Sequence, residues 1–181
     1  HEEFHSEEFA KSGGDFEMVQ LWVNLPAKDK MSSPKYQGIR SNDFPLVELN
    51  NKVEAKVFTG NSLGVEGPAS TYTEMDIFDL NLLASGEFQL NLPASRNTIV
   101  LVRKGEVVIN DKVLNEKCLV IFDRVGEIIN LKATKDSELL VLSAVPINEP
   151  IANYGPFVMN TAEELQVAMS DYQNGKMGHL N

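Results

Sequence analysis

Between residues 46 and 145 short runs of β-branched, aromatic and aliphatic residues are separated by Gly, Asn, Asp and Pro, the pattern of antiparallel strands closing a sandwich or barrel. Strands are predicted at 53–59, 76–83, 98–102, 106–109, 118–122, 128–132 and 138–145. In the second of these Phe78, Leu80 and Leu82 share one face while Asp79 and Asn81 point the other way, as a half-buried strand requires. Asn110 and Asp111 tolerate the left-handed conformation that a tight turn needs, so 106–114 should fold back as a hairpin.

The flanks read differently. Residues 16–23 form another strand candidate, rich in Met18, Val19, Leu21, Trp22 and Val23, but with no partner strand nearby. A lone strand is unstable, so it is expected to pair with a sheet this chain does not fully encode, or with the barrel downstream. Residues 25–45 carry three prolines and no apolar periodicity, and read as a linker. At the far end Thr161 and Glu164 stand at capping-box spacing. Leu165, Ala168, Met169 and Tyr172 then follow a helical period that Gly175 can close, giving one helix at about 162–173.

Charge narrows the choice of partners. A net charge of -10 would repel a phosphate backbone, which disfavours direct nucleic-acid binding and points to protein or small-molecule partners. The one cysteine, Cys118, lies in an apolar run and reads as a structural thiol with no intrachain disulfide, so a cytoplasmic setting is the default expectation. No apolar run approaches the ~20 residues that span a bilayer. The chain begins with His1 rather than methionine, so a processed or fragmentary start is expected.

Candidate chemistry gathers at that start. His1, Glu3 and His5 alternate, and on an extended strand residues two apart share a side, so His1 and Glu3 could place an imidazole and a carboxylate on one metal ion. Two ligands alone do not hold a divalent ion against water, and a charged, frayed terminus is the plainer reading. Trp22 reads as core, and Lys28, Lys30, Lys35 and Arg40 as a solvated basic loop, with a partner-docking patch as the sharper alternative.

The segment HEEFHSEEF, followed by GGDFEMVQLWVNLPAKDKM and PKYQ, closely resembles the second half of the N-terminal barrel of the pirin family, which are two-domain cupins. EPIANYGPFVMNTAEELQVAMSDYQNGKMG resembles that family's C-terminal signature. The resemblance implies an all-β fold of cupin type, a double-stranded β-helix or jelly-roll barrel, with a remnant of a preceding cupin barrel and a short C-terminal helix. It divides the chain into a closing segment and linker at 1–35, a C-terminal cupin barrel at 36–147 and a tail at 148–181. It also implies a site of three histidines and one glutamate for Fe(II) or a similar divalent metal. His1 and Glu3 match the family's His-x-Glu pair, while the upstream His-Pro-His pair does not occur in this sequence. His5 is then a neighbour rather than a ligand. In the second barrel, measured back from Gly105, Asn91 and Pro93 fall in the histidine slots and Leu139 and Val141 near the later ones. None is a suitable ligand, so that barrel is expected to be metal-free and filled by side chains.

Two functions follow from the resemblance. One is a quercetin 2,3-dioxygenase, in which the metal acts as Lewis acid and template for a flavonol-like substrate and Glu3 serves as ligand and as base for a substrate hydroxyl. With half of the ligand set, this chain alone is expected to be inactive. The other is a non-catalytic module that regulates transcription or metabolism through protein contacts. The incomplete barrel is also expected to promote self-association through unpaired strand edges.

Overall fold

The computed structural model describes residues 5–178. They fall into two compact units, one of residues 32–148 and one combining the N-terminal segment up to Met31 with the tail from Glu149 onward.

The first unit is all-β. Its strands are β1 (Leu46–Asn50), β2 (Val53–Thr59), β3 (Met75–Leu82), β4 (Glu87–Asn91), β5 (Asn97–Lys104), β6 (Glu106–Ile109), β7 (Lys112–Asn115), β8 (Cys118–Ile121), β9 (Ile128–Ala133) and β10 (Ser137–Ala144). They form a six-stranded sheet, ordered β1-β2-β3-β10-β5-β8, and a four-stranded sheet, ordered β4-β9-β6-β7. The antiparallel pairs are nested: β3 with β10, β4 with β9, β5 with β8 and β6 with β7. Such nesting is one long hairpin folded over on itself, which is the jelly roll expected from the sequence.

Alternation puts one face of each strand inward. Phe78, Leu80 and Leu82 of β3 meet Val53, Ala55 and Val57 of β2 and Leu139 and Val141 of β10 in one cluster with Val100, Val102, Val107, Ile109, Ile129 and Leu131. Removing side chains of this size from water stabilises the fold by about 1.5–3 kcal/mol each. Cys118 is partly buried and packs against this cluster, as a structural thiol would.

The β6–β7 turn has the geometry its residues allow, with φ of 45° at Asn110 and 67° at Asp111. The Asn110 side chain adds an acceptor for the Asn130 amide at 2.9 Å, tying the turn to β9. Gly105, between β5 and β6, has φ 83° and lies so close to the Asp136 carbonyl and to Ser137 that a side chain there would collide with backbone.

The second unit is sparser. The leader contains α1 (Glu7–Ser12), whose N-cap Ser6 accepts from the Phe9 amide at 3.2 Å, and a 3-10 turn at Ala27–Asp29. Residues 16–23 form no strand. Phe16, Met18 and Val23 lie 58%, 56% and 52% exposed and Trp22 71% exposed, so the expectation of a strand paired with the barrel downstream, with Trp22 buried by this chain, is corrected, while a partner sheet that this chain does not fully encode stands as a proposal. Their apolar alternation is real, but among the described residues no neighbouring strand offers a ladder. The tail folds as a hairpin of β11 (Ala152–Tyr154) and β12 (Phe157–Met159), followed by α2 (Ala162–Gln173). The capping box is present: Thr161 Oγ1 accepts from the Glu164 amide at 3.2 Å, and Glu164 Oε2 accepts from the Thr161 amide at 2.9 Å. Only Leu165 and Ala168 of α2 are buried.

Candidate functional site

His1 and Glu3 lie outside the described residues. The nearest described member of their group, His5, is exposed and sits in an aromatic cluster, edge-on to Phe16 at 4.7 Å between ring centroids and tilted on Phe9 at 5.3 Å. Among the described residues no three His, Cys, Asp or Glu side chains converge as a metal site would need. The donor types of His1 and Glu3, an imidazole and a carboxylate, suit a divalent ion.

The interior of the barrel is hydrocarbon where a ligand set would stand. Leu139 and Val141 are fully buried in the core cluster. On β4 and just beyond it the inward positions belong to Leu90 and Leu92, while Asn91 and Pro93 are exposed. The slot assignment read from Gly105 is therefore corrected by one residue, a slip that turns every side chain to the opposite face. The residues now facing inward are even less able to bind a metal.

Polar chemistry in the barrel unit is concentrated around two carboxylates of β3. Asp76 is buried and accepts from the Ser62 amide at 2.8 Å, from the Ser62 hydroxyl at 2.6 Å and from the guanidinium of Arg96, whose other arm reaches Glu74. Burial alone would raise the Asp76 carboxyl, but the Ser62 and Arg96 hydrogen bonds outweigh it and hold the group below the usual carboxylate range. Asp79, on the outer face, accepts from Arg103 at 3.0 Å, and Glu138 lies 3.7 Å from the same guanidinium. There burial wins over Arg103 and pushes the Asp79 carboxyl up. Both groups are engaged with protein partners and are built to join strands and loops.

A groove of about 370 Å³ lies across β4, β9 and β6. Four of its polar lining residues pair with one another, Gln89 with Asn130 at 3.0 Å and Glu87 with Lys132 at 2.6 Å. Lys30, assigned by sequence to a solvated loop, is instead half-buried and donates to Asn24 Oδ1 at 2.6 Å and to the Val158 carbonyl at 3.2 Å. Nothing in its local sequence marks that role, because both acceptors are chosen by tertiary structure. Among the described residues no helix is long and apolar enough to cross a membrane.

The nested strand pairing and the side-chain-filled interior define a jelly-roll barrel of the cupin class. Residues 77–178 match the family model for the pirin C-terminal cupin domain, so the chain belongs to the pirin family. It is 41% identical over 177 residues to a Pseudomonas aeruginosa protein named putative quercetin 2,3-dioxygenase, covering 97% of this chain and 62% of that one. Pirin-1 of Arabidopsis thaliana is 32% identical over 185 residues, with 98% and 62% covered. Among solved structures, quercetin 2,3-dioxygenase from Acinetobacter baumannii superposes with a TM-score of 0.92 at 41% identity, over 98% of this chain and 62% of that one. The chain thus spans about three fifths of the length of the relatives it matches.

Proposed function

We propose that this chain is a portion of a metal-dependent dioxygenase of the flavonol type, working in a reducing cytoplasm, and that by itself it is catalytically silent. The observation that carries the reading is the superposition, with a TM-score of 0.92 over 98% of the chain, on a quercetin 2,3-dioxygenase of 41% identity. In this reading residues 1–35 close a first cupin barrel, 36–147 form a second one without metal, and 148–181 form a tail. His1 and Glu3 supply two ligands of the set that the family resemblance implies for Fe(II) or a similar ion. A metal in such a set would supply Lewis acidity toward the substrate's oxygens. Glu3 would add a carboxylate able to accept a proton from a flavonol hydroxyl.

The alternative is a non-catalytic module acting through protein contacts, transcriptional or metabolic. The exposed apolar side chains of Phe16, Met18, Leu21, Trp22 and Val23, close together in sequence, favour it, since exposed apolar surface is where a partner gains most by binding. Such contacts include association of the chain with itself.

Elemental analysis of the purified chain, combined with flavonol consumption in the presence of added Fe(II), tests the first reading. We expect less than stoichiometric metal after dialysis and no turnover. Tight stoichiometric metal with turnover would overturn the claim that the chain alone is silent.

A further inference from the structure

The leader makes little structure of its own. Residues 14–25 take part in no helix or strand. Its last part, residues 24–30, is held by the tail. The Ala27 amide donates to Glu149 Oε2 at 2.7 Å, across 122 residues of sequence. The ammonium of Lys30 closes the same turn from the other side, on Asn24 Oδ1 and the Val158 carbonyl.

The tail side of this contact is itself braced. Glu149 Oε2 also accepts from Asn160 Nδ2 at 3.0 Å, and Asn160 Nδ2 donates to the Pro150 carbonyl at 3.0 Å. The Asn160 amide donates in turn to Glu164 Oε2 at 2.9 Å, the carboxylate that caps α2. A continuous run of hydrogen bonds therefore leads from the leader turn through Glu149 and Asn160 to the first turn of the helix. Two of its members are charged, and bonds to charged groups are about twice as strong as neutral ones.

We propose that residues 149–164 are a strap that holds the leader, so that the conformation of residues 24–30 is set by the tail and not by the strands that lie between them in sequence. The family model assigns the tail to the barrel, since its match runs to residue 178. The hydrogen bonds assign it to the leader. The physical unit is then discontinuous, with the barrel of residues 32–148 inserted between its two halves. The inference does not depend on any metal at His1 and Glu3, so the two readings can fail separately.

Native-state hydrogen exchange of the full 181-residue chain, read by peptide, tests the strap. Removing the Glu149 carboxylate deletes a charged acceptor shared by two donors, so Glu149→Ala should speed exchange in residues 26–30 by about tenfold or more. Lys30→Met should do the same in residues 157–160, and Glu149→Gln, which keeps an acceptor oxygen, should restore much of the protection. Peptides from β3 and β10 should not change. Asn160→Ala is a poorer probe, because its Oδ1 is buried without a partner among the described residues and its loss removes an orphan as well as two bonds. The strap is refuted if exchange rises only beside the substituted residue, if it does not rise at all, or if the barrel peptides loosen by the same factor. Should Glu149→Ala not fold, Lys30→Met carries the same decision.

Discussion

Arg96 and Asp76 form an ion pair that is buried at both ends, with side-chain exposures of 6% and 3%. The pair joins the loop that follows β4 to the start of β3, and through the Ser62 hydroxyl it also takes in the loop after β2. Gly60 lies against the same carboxylate, where no larger residue fits. This ionic clasp places charge in a barrel whose other buried polar side chains, Thr59, Thr98, Ser137 and Ser143, are uncharged.

Removing one partner of such a pair strands the other in a low-dielectric site. Arg96→Met should therefore destabilise the barrel by about 3–5 kcal/mol, more than an average core substitution. Urea denaturation followed by far-UV circular dichroism would measure it. A loss below about 1 kcal/mol would mean that the pair is solvated and contributes little.

The two β3 carboxylates should give opposite pH dependence. Asp76 is held below its unfolded value, so its stabilisation is complete above the unfolded carboxyl range near pH 4 and is lost as pH falls through the lower folded value. Asp79 is raised, so its contribution is greatest below that range and declines as pH rises through the higher folded value. Asp76→Asn should accordingly weaken the protein at pH 7 and flatten the acid limb of its stability curve. Asp79→Asn should cost little at pH 7, because Arg103 retains Glu138. Denaturation midpoints at pH 7 and pH 4 for the two variants would check this, and a parallel loss in both would contradict it.

The β6–β7 turn offers a third test. With φ at 67°, Asp111 occupies a region that glycine enters without steric cost, and Asn-Gly is the preferred pair for this turn. Asp111→Gly should raise stability by about 0.5 kcal/mol, whereas Asp111→Val should lower it by roughly 1–2 kcal/mol. Asn110 is not equivalent, since its side chain holds the Asn130 amide. Thermal midpoints of the two variants on either side of the parent value are the expected result.

How much of this was legible depended on what selected each element. β2, β3, β5, β6, β9 and β10 could be read because one face of each is buried and apolar, whereas β8 was read from an unbroken apolar run whose Leu119 and Ile121 face outward. β1, a sheet edge, went unread although Val47 and Leu49 pack against the core, because its run is only five residues long and sits directly between Pro45 and the Asn50-Asn51 turn residues. β4 went unread although Phe88 and Leu90 alternate with polar residues as a half-buried strand requires, because two apolar positions are too short a run to stand out. The helix α2 was read to its ends, because capping chemistry is local. Trp22 shows the converse: residues 16–23 have the composition of a strand, yet a strand needs a partner that local sequence does not specify. The candidate ligands His1 and Glu3 emerged from motif resemblance alone, and the Lys30 and Glu149 contacts could not be found that way because they link residues more than a hundred positions apart.

The long separation between Ala27 and Glu149 also has a meaning in time. A chain leaves the ribosome from its N-terminus at roughly 5–20 residues per second. The leader must therefore wait for 122 further residues, roughly 6–24 s, before its acceptor is made. The barrel gains no head start from that interval, since its own strand β10, which pairs with β3 and β5, ends at Ala144, only five residues before Glu149.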